Sequence, residues 1–434
     1  MMIDRLELIS YLEIFEKELH DDILAYWMAY GVEKKGHGFY GAVDLDNKPV
    51  LSANKTSVLN SRILWTFSAA AKQYPEKAYE SLAHRAYRVI REDFADNEFG
   101  GFFMELSSSN QVESDVKHTY AQAFVIYSLC KYYEFAPSEE LLSEIQTFFL
   151  LLDAKTKDPV NPGYLESFTR GWEPITENRM ADNNEPKSLN THLHLLEAYA
   201  AVYKVWKSEL VKRRLTELLE LFIHRIIRPD GHLGVFFTTE FEETESSKEI
   251  CSFGQEIEGS WMIWEAAEIL GDKEILACIK PLILKMADAV LRVGVDKDGG
   301  VFLESTRWGS HIRTNKHWWL QAEALVGFMN SYQLTGDSSY WETVKLTWSF
   351  IDQFVIDHDR GEWFTKVSRL GEAYVVEPKD DPSPFYRNDW KIDPWKCPYH
   401  NGRAMLELVS RISELLENSA DANSLLKTKN EQNG

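Results

Sequence analysis

Cysteine is scarce in this sequence: four occur in 434 residues, Cys130, Cys251, Cys278 and Cys397, none in a CxxC or other metal-ligand spacing. Scattered single thiols argue against a disulfide framework and fit a reducing cytoplasm, the expected location. Basic residues are also few, 47 Lys and Arg against 68 Asp and Glu, for a formal net charge of −21. Such a surface repels phosphate backbones and anionic lipid, so neither nucleic acid nor membrane is expected as a partner. Solubility alone explains the same imbalance. Clean apolar runs are missing too. The opening "MMIDRLELISYLEIFEKELHDDILAYW" mixes charged and apolar residues at helical spacing and has no basic n-region. It reads as the first amphipathic helix of the fold rather than a signal peptide or a membrane span. HExxH, Walker and G-x-S-x-G motifs are absent, and the GxG fragments do not link a strand to a helix. No metal site and no dinucleotide cofactor are therefore expected.

What is plentiful is aromatic: 14 Trp, 19 Tyr and 23 Phe make 13% of the chain. Trp beside charged residues, as in "KHWWLQAE" and "DPWKCPYH", suits flat faces laid against sugar C–H groups. At this length the natural options are two domains or one large closed repeat. Six stretches share turn residues, Gly and then aromatic or β-branched residues. They are "GHGFYGAVD", "EFGGFFMEL", "NPGYLESF", "PDGHLGVFF", "KDGGVFLES" and "DRGEWFTKV". Their spacing of roughly 60 to 70 residues matches two helices with their connections.

Between these markers, "SRILWTFSAAAKQY", "THLHLLEAYAAVYKVW", "WMIWEAAEILG" and "HWWLQAEALVGFMNSYQ" carry apolar residues at i, i+3, i+4 and i+7. Long alternating strands are missing. The expectation is an all-α (α/α)6 barrel, six inner and six outer helices with short hairpin-like loops, rather than an open solenoid with polar caps. No Pro-, Gly- or Ser-rich linker divides the chain, so residues 1–416 are expected to form one domain, followed by a polar, disordered tail at 417–434. A monomer is expected.

Several clusters offer chemistry. In "KSLNTHLHLLEAY", His192 and His194 point about 200° apart on a helix, which argues against a two-His metal site, whereas Asn190, His194 and Glu197 share a face. A carboxylate at i+3 can hold His194 in one tautomer, although a satisfied structural histidine fits equally. Arg62 in "NSRILW" either stacks with Trp65 or presents fixed positive charge to a developing oxyanion. Trp319 and Glu323 are at i and i+4. In "PWKCPYHNGR", Pro394 and Pro398 fix a loop and Gly402 is expected to break any helix start, holding Trp395 and His400 on a constrained turn.

Taken together, "NSRILW", "KHTYAQAF", "NTHLHLLEAY", "GQEIEGSW", "WWLQAEALVGF" and "WKCPYHNGR" resemble the N-acylglucosamine 2-epimerase family, and within it the cellobiose 2-epimerases, in order over nearly the whole chain. The resemblance implies the same barrel and a cofactor-free epimerisation at C2 of a reducing disaccharide or monosaccharide. It assigns His400 as one of two proton-transferring histidines and Arg62 to the enediolate oxygens. It places His194 near the ring oxygen, makes Glu258 and Glu323 the carboxylates that tune the histidines, and puts Trp319 and Trp395 on the walls of the sugar subsites. Tyr120, in the second motif, and Asn190 are expected to bind substrate. One position departs: where the family pattern reads Gly-His-Asp-Ile-Glu, this chain has Gly-Gln-Glu-Ile-Glu, so Gln255 replaces the second histidine. Glutamine cannot accept and return a proton near neutrality. Either another group, His194 above all, serves the second face, or one base moves a proton from C2 to C1, or the pocket binds sugar without turnover. Hydrolysis by Glu256, Glu258 and Glu323 would need two carboxylates facing one pocket, and Glu256 is expected to point away from Glu258.

Overall fold

The computed structural model describes residues 3–176, 184–306, 309–376 and 387–431, with side chains described as far as residue 418. Among these the α-helices are α1 (Arg5–Lys17), α2 (Ser57–Gln73), α3 (Glu80–Val89), α4 (Thr119–Phe135), α5 (Glu139–Thr156), α6 (Leu189–Val205), α7 (Glu209–Leu221), α8 (Glu245–Lys248), α9 (Phe253–Leu270), α10 (Lys273–Ala289), α11 (Trp318–Thr335), α12 (Ser338–Phe350) and α13 (Tyr399–Glu431). Of the expected 417–434 tail, residues 417–431 continue α13 as helix, and residues 432–434 lie outside the described residues.

Helices α2, α4, α6, α9, α11 and α13 each pack on the next, and α13 packs back on α2, so the inner ring closes. Outside it, α3 lies on α2, α5 on α4, α7 on α6, α10 on α9, α12 on α11 and α1 on α13. This is the (α/α)6 barrel, and closure rules out the open solenoid. A second seam joins the chain's two ends: Val43–Asp44 pairs antiparallel with Trp390–Ile392. No described helix is long and apolar enough to cross a membrane.

Position in the ring explains composition. Inner helices are covered on all sides, so α2 buries every residue from Ser57 to Ser68. Its interior hydroxyls are satisfied locally, Ser61 donating to the Val58 carbonyl and Thr66 to that of Arg62. Outer helices bury one stripe, as Val211, Leu215, Leu218 and Leu219 do in α7.

The six Gly-aromatic stretches are antiparallel straps, with bridges Val32–Phe39, Ala95–Phe102, Lys157–Tyr164, Ile227–Leu233, Val295–Val301 and Ile356–Trp363. In the second strap Gly101 has φ +71°, and a Cβ there would meet the Trp172 ring at 2.6 Å. A buried lysine pins most straps to an acid just after the bridge: Lys55–Glu33 at 2.5 Å, Lys117–Asp96 at 2.9 Å, Lys187–Asp158 at 2.7 Å, Lys316–Asp296 at 3.3 Å and Lys391–Asp357 at 2.8 Å. The fourth strap departs from this. Arg228 follows its bridge instead of an acid, and Cys251 stands two residues before α9, where Lys55, Lys117, Lys187 and Lys316 stand before α2, α4, α6 and α11.

One local expectation needs correction. Gly402 does not break a helix start; it sits in the first turn of α13, its N–H bonded to the Pro398 carbonyl at 3.1 Å. Pro398 sets the backbone for a helix N-terminus. A Cβ on Gly402 would lie 3.0 Å from Thr66 Cγ2, so the glycine serves close approach of α13 to α2.

Candidate active site

Arg62, Phe124, His194, Glu258 and Glu323 are each the sixth residue of α2, α4, α6, α9 and α11, and Arg403 is the fifth of α13. The ring turns this shared register into convergence, and all six side chains are buried. Nearer the helix N-termini come Tyr120, Asn190, Trp319 and His400, each second in its helix, and Gln255, third in α9. Asn190, Gln255, Trp319 and, on the loop before α13, Trp395 are half-buried.

His400 Nδ1 lies 2.6 Å from Glu323 Oε1. Glu323 also accepts from Arg403 at 2.6 Å and, through Oε2, from the Trp261 indole at 3.0 Å. Desolvation of Glu323 is outweighed by Arg403 and His400, which hold its carboxyl down at about 2. An ionised carboxylate only accepts, so His400 Nδ1 carries the proton and Nε2 presents its lone pair. Burial pushes the imidazole down to about 4 despite Glu323, so the ring is neutral at neutral pH.

Arg403 is fully buried. Its remaining charge faces Glu197 at 2.5 Å and Glu258 at 3.5 Å, and its guanidinium lies over Tyr399 and Trp261, 4.2 and 4.6 Å from the ring centroids. Glu197 also accepts from Tyr399 at 2.9 Å and meets His194 Nδ1 at 3.2 Å. His194 is driven toward its neutral form by desolvation, against the Glu197 bond. Its neighbour His192 faces away and is structural: Nδ1 bonds the Ser188 carbonyl at 2.7 Å and Nε2 accepts from Tyr164 N at 2.9 Å.

Arg62 donates to Tyr120 Oη at 2.7 Å and to the Trp395 carbonyl at 3.2 Å, with Nε buried and without a hydrogen-bond partner. It lies over Phe124, at 4.2 Å, and not over Trp65, which stacks on Tyr127. Glu258 differs from Glu323: Oε1 has no hydrogen-bond partner, and burial followed by the Glu323 charge pushes its carboxyl well above the usual range. Glu258, Glu323 and His400 place ligand-type atoms within 4.8 Å of one another, but Arg403 already supplies the positive charge there. Trp319 lies against the start of α9, where a Cβ on Gly254 would clash with its indole, and its ring centroid is 5.9 Å from that of His400. Glu256 points away, to His232.

The structure thus brings His400, Glu323, Glu258, His194 and Arg62 together in the buried centre, with Tyr120, Trp395, Asn190, Trp319 and Gln255 nearer the helix N-termini. Sequence reasoning missed Arg403, Tyr399, Phe124 and Trp261. Arg403 had a signal, being i+3 from His400, but reading Gly402 as a helix breaker hid their shared face.

A histidine held by a carboxylate beside buried guanidinium groups and aromatic rings is an arrangement suited to proton transfer. The family model of N-acylglucosamine 2-epimerase matches residues 38–387, and the chain belongs to that family. It is 36% identical over 397 residues to the cellobiose 2-epimerase of Bacteroides fragilis, covering 91% of this chain and 97% of that one. With the cellobiose 2-epimerase of Dictyoglomus turgidum it shares 33% over 405 residues, 92% of this chain and 98% of the relative. The solved structure of cellobiose 2-epimerase from Bacillus thermoamylovorans B4167 superposes with a TM-score of 0.83 at 32% identity, covering 93% and 99% of the two chains.

Proposed function

We propose that this protein is a cofactor-independent sugar 2-epimerase of the cellobiose 2-epimerase kind, interconverting glucose and mannose at the reducing end of a β-1,4-linked disaccharide. The observation that carries the proposal is the neutral His400, its Nδ1 fixed by Glu323 at 2.6 Å and its Nε2 left to act as a base.

After the sugar ring opens, His400 Nε2 takes the C2 proton. The electron pair moves into the C1–C2 bond, giving a cis-enediolate whose oxygens carry the charge that Arg62 offsets. A proton then returns to C2 on the opposite face. Gln255 cannot supply it. The sequence favours His194, but desolvation lowers that imidazole's affinity for a second proton, and the one N–H of a neutral ring is a poor acid. Glu258 is the better donor, since burial and the Glu323 charge push its carboxyl well above the usual range and its Oε1 makes no hydrogen bond, with only Arg403 beside it at 3.5 Å. Exchange with solvent then removes the proton His400 has gained and replaces the one Glu258 has given, which resets the pair.

The test is cellobiose in D₂O followed by NMR. The proposal expects the glucosyl-mannose epimer with deuterium at C2. Gln255 favours a second reading, one-base isomerisation, which predicts a ketose labelled at C1. Ketose as the main product, or free monosaccharides from hydrolysis, overturns the epimerase reading.

A further inference from the structure

The fourth strap carries a cluster that this chemistry leaves unused. His232 Nδ1 is 2.9 Å from Glu256 Oε1, and the ligand-type atoms of His232, Cys251 and Glu256 all lie within 4.8 Å of one another. Glu256 is fully buried, and its other oxygen, Oε2, has no hydrogen-bond partner. Cys251 is a buried free thiol, while His232 keeps 23% of its side chain open to solvent. A structural pin does not need this set. The guanidinium of Arg228, on the same strap, is already taken by Glu243, Nε to Oε1 at 2.9 Å. Four other inner helices are secured at the Cys251 position by a lysine alone.

We propose that His232, Cys251 and Glu256 form a site for one divalent cation of the zinc class. Thiolate, imidazole and carboxylate are the three protein donors such a cation takes when a fourth position is left to water. Solvent reaches that position past His232. Bonds of about 2.0–2.3 Å set neighbouring donors of a tetrahedral zinc roughly 3.3–3.8 Å apart, so the His232–Glu256 pair, now at 2.9 Å, opens slightly on binding while the longer separations within the cluster close. The thiolate and carboxylate neutralise the two positive charges, and the thiol proton leaves to solvent, so affinity rises with pH. Because Glu256 lies between Gln255 and Glu258, the cation would tie the first turn of α9 to the fourth strap.

The full-length protein, stripped with chelator, is titrated with Co(II) and the absorption recorded. One equivalent should give tetrahedral d–d bands and a sulfur-to-cobalt charge-transfer band, both removed by added Zn(II). Cys251→Ser should lose the charge-transfer band. Both Cys251→Ser and the partly exposed His232→Gln should weaken zinc binding at least about tenfold in competition with a chromogenic chelator. Metal-free melting curves of the variants, set beside that of wild type, separate loss of a ligand from loss of the fold. Absence of the sulfur band in wild type, or equal zinc affinity in folded His232→Gln, overturns the proposal. Neither readout depends on sugar turnover, so the epimerase reading stands or falls separately.

Discussion

His400 and Arg403, one helical turn apart on α13, share a single oxygen, Glu323 Oε1, at 2.6 Å each. One carboxylate from α11 therefore sets the histidine's tautomer and neutralises a fully buried guanidinium at once. Glu323→Gln should break both functions, because the amide offers one acceptor and can present its N–H groups to the imidazole instead. We expect kcat to fall at least about 100-fold with little change in KM, measured by steady-state kinetics on a folded variant.

The pH profile follows from the same pair. Burial drives His400 to about 4, against an ordinary value of 6.5. A base must be unprotonated, so kcat/KM should hold as pH falls through 6.5 and fail only as it approaches about 4. Stability has the same sign. Between these values the unfolded chain binds the proton that the folded chain refuses, so stability present above 6.5 is lost as pH falls toward 4. Urea denaturation across that range checks it. On the alkaline side, rate should decline as Glu258 loses the proton that burial helps it keep.

Removing Arg403 leaves Glu197 and Glu323 buried without their guanidinium. Arg403→Met should cost about 3–5 kcal/mol of folding stability, read from denaturant midpoints, beyond any effect on rate.

Gln255 and Glu258 lie at i and i+3 on α9. If Glu258 returns the proton, Glu258→Gln should lower epimerisation about 100-fold or more. Gln255→His should raise the wild-type rate and partly rescue Glu258→Gln. Loss of activity in Gln255→His, or full activity in Glu258→Gln, contradicts the assignment.

The barrel was legible because it repeats. Six Gly-aromatic straps and all-round apolar inner helices such as α2 leave a strong periodic trace. The candidate residues were legible as types in motifs, but their convergence was not, since it depends on ring closure placing the sixth residues of separate helices together. Arg403 was hidden for a different reason: glycine at 402 serves packing against Thr66, and local propensity alone reads it as a break. The distinction between Glu258 and Glu323, one pushed up by burial and the other held down at about 2, also depends on which of them receives Arg403 and His400 closely.

The most direct measurement is exchange of the C2 hydrogen of cellobiose with D₂O, comparing wild type with His400→Ala by NMR after confirming that both are folded. The account predicts exchange and epimer in wild type and neither in His400→Ala. Undiminished C2 exchange in the variant would contradict it.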